Sequence, residues 1–277
     1  MTKLPRVNLK TAVVDPHTEW TRRRLQILLG ATVAVALAVV AGAVWSVVSM
    51  LTTRSAADDG AGTDGSAQSA RDQLANKQLP DAPLEAAQPG SLSSGETGTL
   101  RIPASTSVGP AAVATGFAHT PEGALSQLAA IDQAALSSAS VRVAQEVITE
   151  WAAPGGPTTE SWSGVKAVAA LLESAGMSSD GSDSITIGVE PTMGFIKGTV
   201  GNDFAIPCID FIVTATTATG QPQQVAAADC QRMVWHNDDT GGRWVIGPGE
   251  EPAQPPSVWP GSQDSFDAGY EWLEITS

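Results

Sequence analysis

Chemistry in this chain has to be sought among Cys208, Cys230, His17, His119, His236 and a scatter of carboxylates. The cysteines have the most informative spacing. Between them lies Ala218-Thr219-Gly220, and a three-residue hairpin loop needs a left-handed third residue, normally glycine. Such a loop pairs 217 with 221 and sets Cys208 directly opposite Cys230. A two-residue Gly220-Gln221 turn breaks that match. The expected chemistry is a disulfide, which closes a loop of about 20 residues and stabilises by about 3 kcal/mol; the competing reading is two buried free thiols.

His119 precedes a helix-cap sequence and reads as a packing or capping residue. His236 sits in His-Asn-Asp-Asp, a turn sequence. Asp210 and Asp229 flank the cysteines, either as an acid pair in a cleft or as solvated strand positions. The second is the expectation in so acidic a chain. The sequence has no HExxH, CxxC, GxSxG or P-loop pattern. No catalytic residue, cofactor-binding residue or metal ligand is therefore assigned, and no enzyme is expected.

These residues must be positioned by a chain whose organisation starts at Leu25–Leu51, 27 residues without a charged side chain. About 20 apolar residues span a bilayer core as a helix. Arg22, Arg23 and Arg24 mark the cytoplasmic flank, so the N-terminus is expected inside and the rest outside, where disulfides persist. A cleaved signal peptide has a shorter apolar run. Thr21-Arg22-Arg23-Arg24-Leu25 also resembles a twin-arginine export signal. Gly30, Ala34, Ala38 and Gly42 form a small-residue stripe that would let two helices approach closely, although an alanine-rich segment produces such spacing by chance.

The net charge is −14. Six of the 15 basic residues lie in residues 1–24 with two of the 29 acidic ones, which leaves the outer part strongly acidic. That balance argues against nucleic-acid binding by the outer domain. The basic inner tail suits anionic lipid.

The expected organisation is a cytoplasmic tail (1–24), a transmembrane helix (25–51), a disordered stalk (52–116), an extracytoplasmic α+β domain (117–249) and a proline-rich exit with a short amphipathic tail (250–277). Residues 52–116 hold no aromatic residue. Such a composition buries too little apolar surface to offset its ordering entropy. A flexible stalk of that length reaches about 40–50 Å. Thr120-Pro121-Glu122 opens a helical pattern toward Ala153 that the serines at 137, 138 and 140 interrupt. A second helix is expected over Thr159–Ser174, stopped by Gly176. Strands follow at Ile185–Val189, Met193–Val200, Phe204–Thr216, Val225–His236 and Arg243–Ile246, with Pro207 marking an edge or bulge. Helices followed by an antiparallel meander make an α+β fold.

The anchor, stalk, helices and curved sheet together resemble a nuclear-transport-factor-like cone on a membrane tether. The segments GFAHTPEGAL, RWVIGPGEEP and SVWPGSQDSFDAGY resemble extracytoplasmic proteins of actinobacterial mobile elements. The same layout is similar to bitopic assembly proteins of type IV secretion and conjugation machines, and to membrane proteins accompanying actinobacterial mammalian-cell-entry lipid transporters. The first resemblance implies a non-enzymatic scaffold whose partners are membrane lipid, other envelope proteins and a second copy of the chain. The second implies a small-ligand or lipid-binding accessory protein using the concave face of the sheet.

Overall fold

The computed structural model of the chain describes residues 63–181, 185–217, 220, 222–237 and 241–276. The expected span 25–51, with its stripe of Gly30, Ala34, Ala38 and Gly42, lies outside the described residues, as does His17. Among the described residues no helix is long and apolar enough to cross a membrane.

In chain order the elements are α1 (Thr63–Asn76), a 3-10 turn (Leu84–Ala87), β1 (Thr99–Pro103), β2 (Ser107–Val108), a 3-10 turn (Pro110–Ala112), β3 (Ala114–Thr115), α2 (Pro121–Ser137), α3 (Val141–Trp151), α4 (Ser163–Ser174), β4 (Ile185–Thr199), β5 (Phe204–Thr217), β6 (Gln223–Cys230), β7 (Met233–His236), β8 (Arg243–Ile246), α5 (Gln263–Asp267) and β9 (Glu271–Thr276). The α+β class expected from the sequence is the class observed: helices against a curled, largely antiparallel sheet.

The helix signals act as expected. Thr120 Oγ1 accepts from the Gly123 amide at 3.1 Å, and Pro121 opens α2. The serine-rich stretch separates α2 from α3. Gly176, at φ +68°, ends α4 by taking a left-handed conformation that lets the Met177 amide reach the Leu172 carbonyl.

The main sheet runs β1-β9-β4-β5-β7-β8, with β6 also pairing with β5. The two runs expected at 185–189 and 193–200 form one strand, β4. Its register against β5 shifts between Pro191 and Met193 and again between Ile196 and Gly198. Bulges of this kind bend a strand and increase its twist, which curls the sheet. The single strand expected over Val225–His236 breaks into β6 and β7. Pro207 lies opposite the break and has no N–H to donate, so β5 cannot extend a continuous ladder there.

Alternation along β5 sorts the core into two layers. Ile209, Phe211, Val213 and Ala215 join the cluster packed under α2, α3 and α4 on one face. Phe204, Ile206 and Cys208 pack on the opposite face with Cys230 and Ala75 of α1. Met193, Val258 and Tyr270 form a third cluster. A sheet covered on both faces explains why Phe204–Val213 is an almost unbroken apolar run.

Three expectations are corrected. Residues 63–116 are not a structureless stalk: α1 covers the sheet, β1 joins its edge, and Ala75, Ala87, Ile102 and Val113 are buried. Small apolar residues there bury themselves against surface supplied by distant parts of the chain. The tail is more than an amphipathic turn, since β9 adds to the sheet between β1 and β4. The β1–β9 pairing is parallel, so the sheet is not a pure antiparallel meander.

Side chains fasten the first segment in place. Arg232, 4% exposed, donates from Nη1 to Asp72 Oδ1 at 2.7 Å and from Nε to the Glu250 carbonyl. Lys197 Nζ donates to the Ala75 carbonyl at 2.8 Å. Leu74 lies over Gly198, where a Cβ would meet its Cδ1 at 2.7 Å, so glycine is what allows the close approach.

Candidate binding cleft

A cleft of about 150 Å³ opens beside β6. Its floor is Phe211 and Val213 of β5 with Val225, Ala227 and Asp229 of β6. Leu136 of α2 and Ala167 and Leu171 of α4 form one wall; two proline-rich segments, 80–84 and 254–257, form the other. The second segment cannot pair with β6 as a strand, because Pro255 and Pro256 lack N–H groups. Side chains take over that role: the Ala228 amide donates to Ser257 Oγ at 3.0 Å and the Cys230 amide to Gln254 Oε1 at 3.1 Å.

Asp132 of α2 lies at one end of the cleft. It follows Leu128 by four residues and precedes Ala135 by three, which puts it on the apolar stripe of the helix. It is 4% exposed, and its Oδ2 has no hydrogen-bond partner. Burial raises its carboxyl well above the usual range, and the carboxylates of Asp229 and Glu251 add to the rise.

Asp229 Oδ1 accepts from Gln231 Nε2 at 3.2 Å, while its enclosed Oδ2 is unpartnered. Burial and then Glu251 raise it to about 7. Glu251 Oε1 accepts from the Ser163 amide at 2.8 Å, satisfying one of the free N–H groups in the first turn of α4. Burial raises it too, partly offset by that bond and by Lys166. Gln231 Nε2 also reaches Ser163 Oγ at 3.3 Å. Three carboxyl groups from α2, β6 and the segment after β8 thus converge around Ser163 and Gln231.

The geometry requires a glycine nearby. Trp162, fully buried, lies beneath Gly164, where a Cβ would come within 2.6 Å of its ring.

The expectation of solvated Asp210 and Asp229 is corrected, since both carboxylates are enclosed. They do not form a pair in one cleft either. Asp210 stands opposite Ala228 and Asp229 opposite Ile209, so they project from opposite faces. Burial raises Asp210 well above the usual range, relieved in part by the Val258 backbone. The partners Asp229 does have, Asp132 and Glu251, were not among the residues singled out from sequence. Asp132 was legible as a charge on an apolar helical stripe; Glu251, in a Gly-Glu-Glu-Pro loop, carried no such signal.

The cysteine register is as expected. Cys208 stands opposite Cys230, with Cα atoms 4.2 Å apart and the sulfurs bonded, and the pairing runs on to Ala215 and Gln223. Both side chains are buried. His119 is a packing residue: it stacks on Trp235 at 4.1 Å, meets Trp244 edge-on, and its Nε2 lies 2.8 Å from Asp203 Oδ1. His236 ends β7 opposite Arg243. Among the described residues no group of acidic, cysteine or histidine side chains has the arrangement of a metal site.

A family model described as a domain of unknown function, DUF8175, matches residues 54–259. The chain belongs to this family. The DUF8175 match begins upstream of α1 and takes in every residue that lines the cleft, together with Glu251. It ends before α5 and β9. No curated protein and no solved structure matches the chain.

Proposed function

We propose that the folded region is a binding domain for a small, largely apolar ligand, held outside the cell membrane by the Leu25–Leu51 segment. The observation that carries this reading is the cleft beside β6. It is concave and mostly apolar, with a few convergent polar groups at one end, which is the usual form of a small-molecule site. Its volume compares with an apolar cavity that takes up benzene. One face of the curled sheet supplies the floor and the preceding helices a wall, an α+β arrangement in which a cleft between helices and sheet is built into the fold. The reading accords with an accessory role in moving apolar compounds through a cell envelope. The alternative from sequence, an assembly scaffold for conjugation, draws on the same anchor but makes no use of the cleft.

Thermal melts of the full chain in a mild detergent test the proposal, with benzyl alcohol as the probe and Ala167→Trp as a variant that fills the mouth. Benzyl alcohol should raise the melting temperature of the wild type relative to that of the variant. Identical responses would remove the cleft as a ligand site.

A further inference from the structure

We propose that the ligand taken by this cleft carries a cationic amine, seated between Asp132 and Asp229. The inference rests on the cleft being a ligand site and specifies the chemistry of what enters it. Among the described residues, every charged side chain lining the cleft is acidic: Asp81 at the mouth, Asp132 and Asp229 within. The inner end has acceptors to spare. Asp132 Oδ2, Asp229 Oδ2 and Gln231 Oε1 are enclosed and unpartnered. The neighbouring amide donors are spent. Gln231 Nε2 is held by Ser163 Oγ and Asp229 Oδ1, and Gln254 Nε2 by the carbonyls of Cys230 and Pro252.

Buried acceptors without donors are costly, and buried carboxylates more so. A primary ammonium brings three donors, no acceptor and the opposite charge. It meets both deficits at once, while an aryl or alkyl body fills the apolar part between Leu171, Phe211 and Val225. A neutral alcohol supplies one donor and no charge. An anion would face carboxylates from three elements.

The charge dependence follows from the groups around the site. Asp132 on α2, Asp229 on β6 and Glu251 after β8 influence one another, and Lys166 of α4 acts on Glu251 in the opposite sense. Asp210 projects from the opposite face of the sheet, where Tyr270 packs beside Met193 and Val258; burial raises both groups, and the charges of Asp210 and Asp229 add to the rise of Tyr270. With Asp229 titrating at about 7, the cluster gains negative charge as pH rises from 5.5 to 8.5. An amine that remains protonated across that range should bind more tightly as it does so.

The test measures dissociation constants of benzylammonium and of its neutral counterpart benzyl alcohol, by calorimetry on the full chain at pH 5.5 and pH 8.5. At pH 8.5 benzylammonium should bind about tenfold or more tightly than benzyl alcohol, as expected for a close charge pair. The ratio should shrink toward one at pH 5.5. Asp229→Asn should remove most of the pH dependence of that ratio, and Asp132→Asn should do so independently if either variant folds poorly. Equal affinity for the two probes at pH 8.5, or a ratio that ignores pH and both substitutions, overturns the cation assignment and leaves the apolar site standing. If neither probe binds, the reading of the cleft itself fails.

Discussion

Replacing Asp229 with Asn should stabilise the protein above neutral pH and leave it nearly unchanged in acid. The folded carboxyl titrates at about 7 against an ordinary 3.8. The folded state therefore holds a proton that the unfolded chain gives up between roughly pH 4 and pH 7. Stability contributed at this position falls as pH rises through that window. The penalty is absent below the unfolded value and complete above the folded one. A shift of that size corresponds to a ceiling of about 4 kcal/mol. The carboxyl shares its repulsion with Asp132 and Glu251 and keeps its bond from Gln231, so about 2 kcal/mol is the expected gain. For a folded unit of this size that is about 4–8 °C in melting temperature. Near-ultraviolet circular dichroism melts at pH 4.5, 6.5 and 8.5 read the effect, since they follow aromatic packing. Wild-type and variant curves should converge at pH 4.5 and separate at pH 8.5. A variant that is less stable at pH 8.5, or parallel curves throughout, would refute the argument that Asp229 is held in an unfavourable ionised state.

Replacing Cys208 and Cys230 together by Ala should cost about 3 kcal/mol, the loop-closure value for their separation of 22 residues, read by denaturant titration. Reducing agent should shift the wild type, and not the variant, by a similar amount. A chain that begins at residue 117 should fail to unfold cooperatively, because it leaves β9 without β1 and exposes the sheet face under Ala75. One that begins at residue 63 should unfold in a single transition by the same probe. Asp72→Ala should destabilise by about 1–2 kcal/mol, less than a fully buried pair, because Asp72 is 44% exposed while Arg232 is not.

Local signals in the sequence carried local structure. Thr120 and Pro121 announced α2, Gly176 stopped α4, and the spacing of Gly220 between two cysteines set the β5–β6 register that the structure adopts. Pairings between distant segments left no comparable mark. Arg101 of β1 meets Glu274 of β9 across 173 residues, and nothing within Thr99–Pro103 indicates that partner. Residues 63–116 looked unfoldable because they hold few large apolar side chains. Ala75 and Ala87 are nevertheless buried, against surface that β5 and the proline-rich exit provide. The cleft divides in the same way. Asp132 could be read as a charge misplaced on an apolar stripe. Its convergence with Asp229 and Glu251 depends on the curl of the sheet and on a loop returning over α4, which are properties of the assembled fold.

Methyl-labelled NMR of the full chain with added benzyl alcohol reads directly whether the space between α2, α4 and β6 takes up a small apolar molecule. The methyl groups of Leu136, Leu171, Val213 and Val225 should shift together and saturate at one ligand concentration, while Ile206 on the far face of the sheet stays fixed. Uniform small shifts on both faces, or saturating shifts confined to residues outside the cleft, would contradict it.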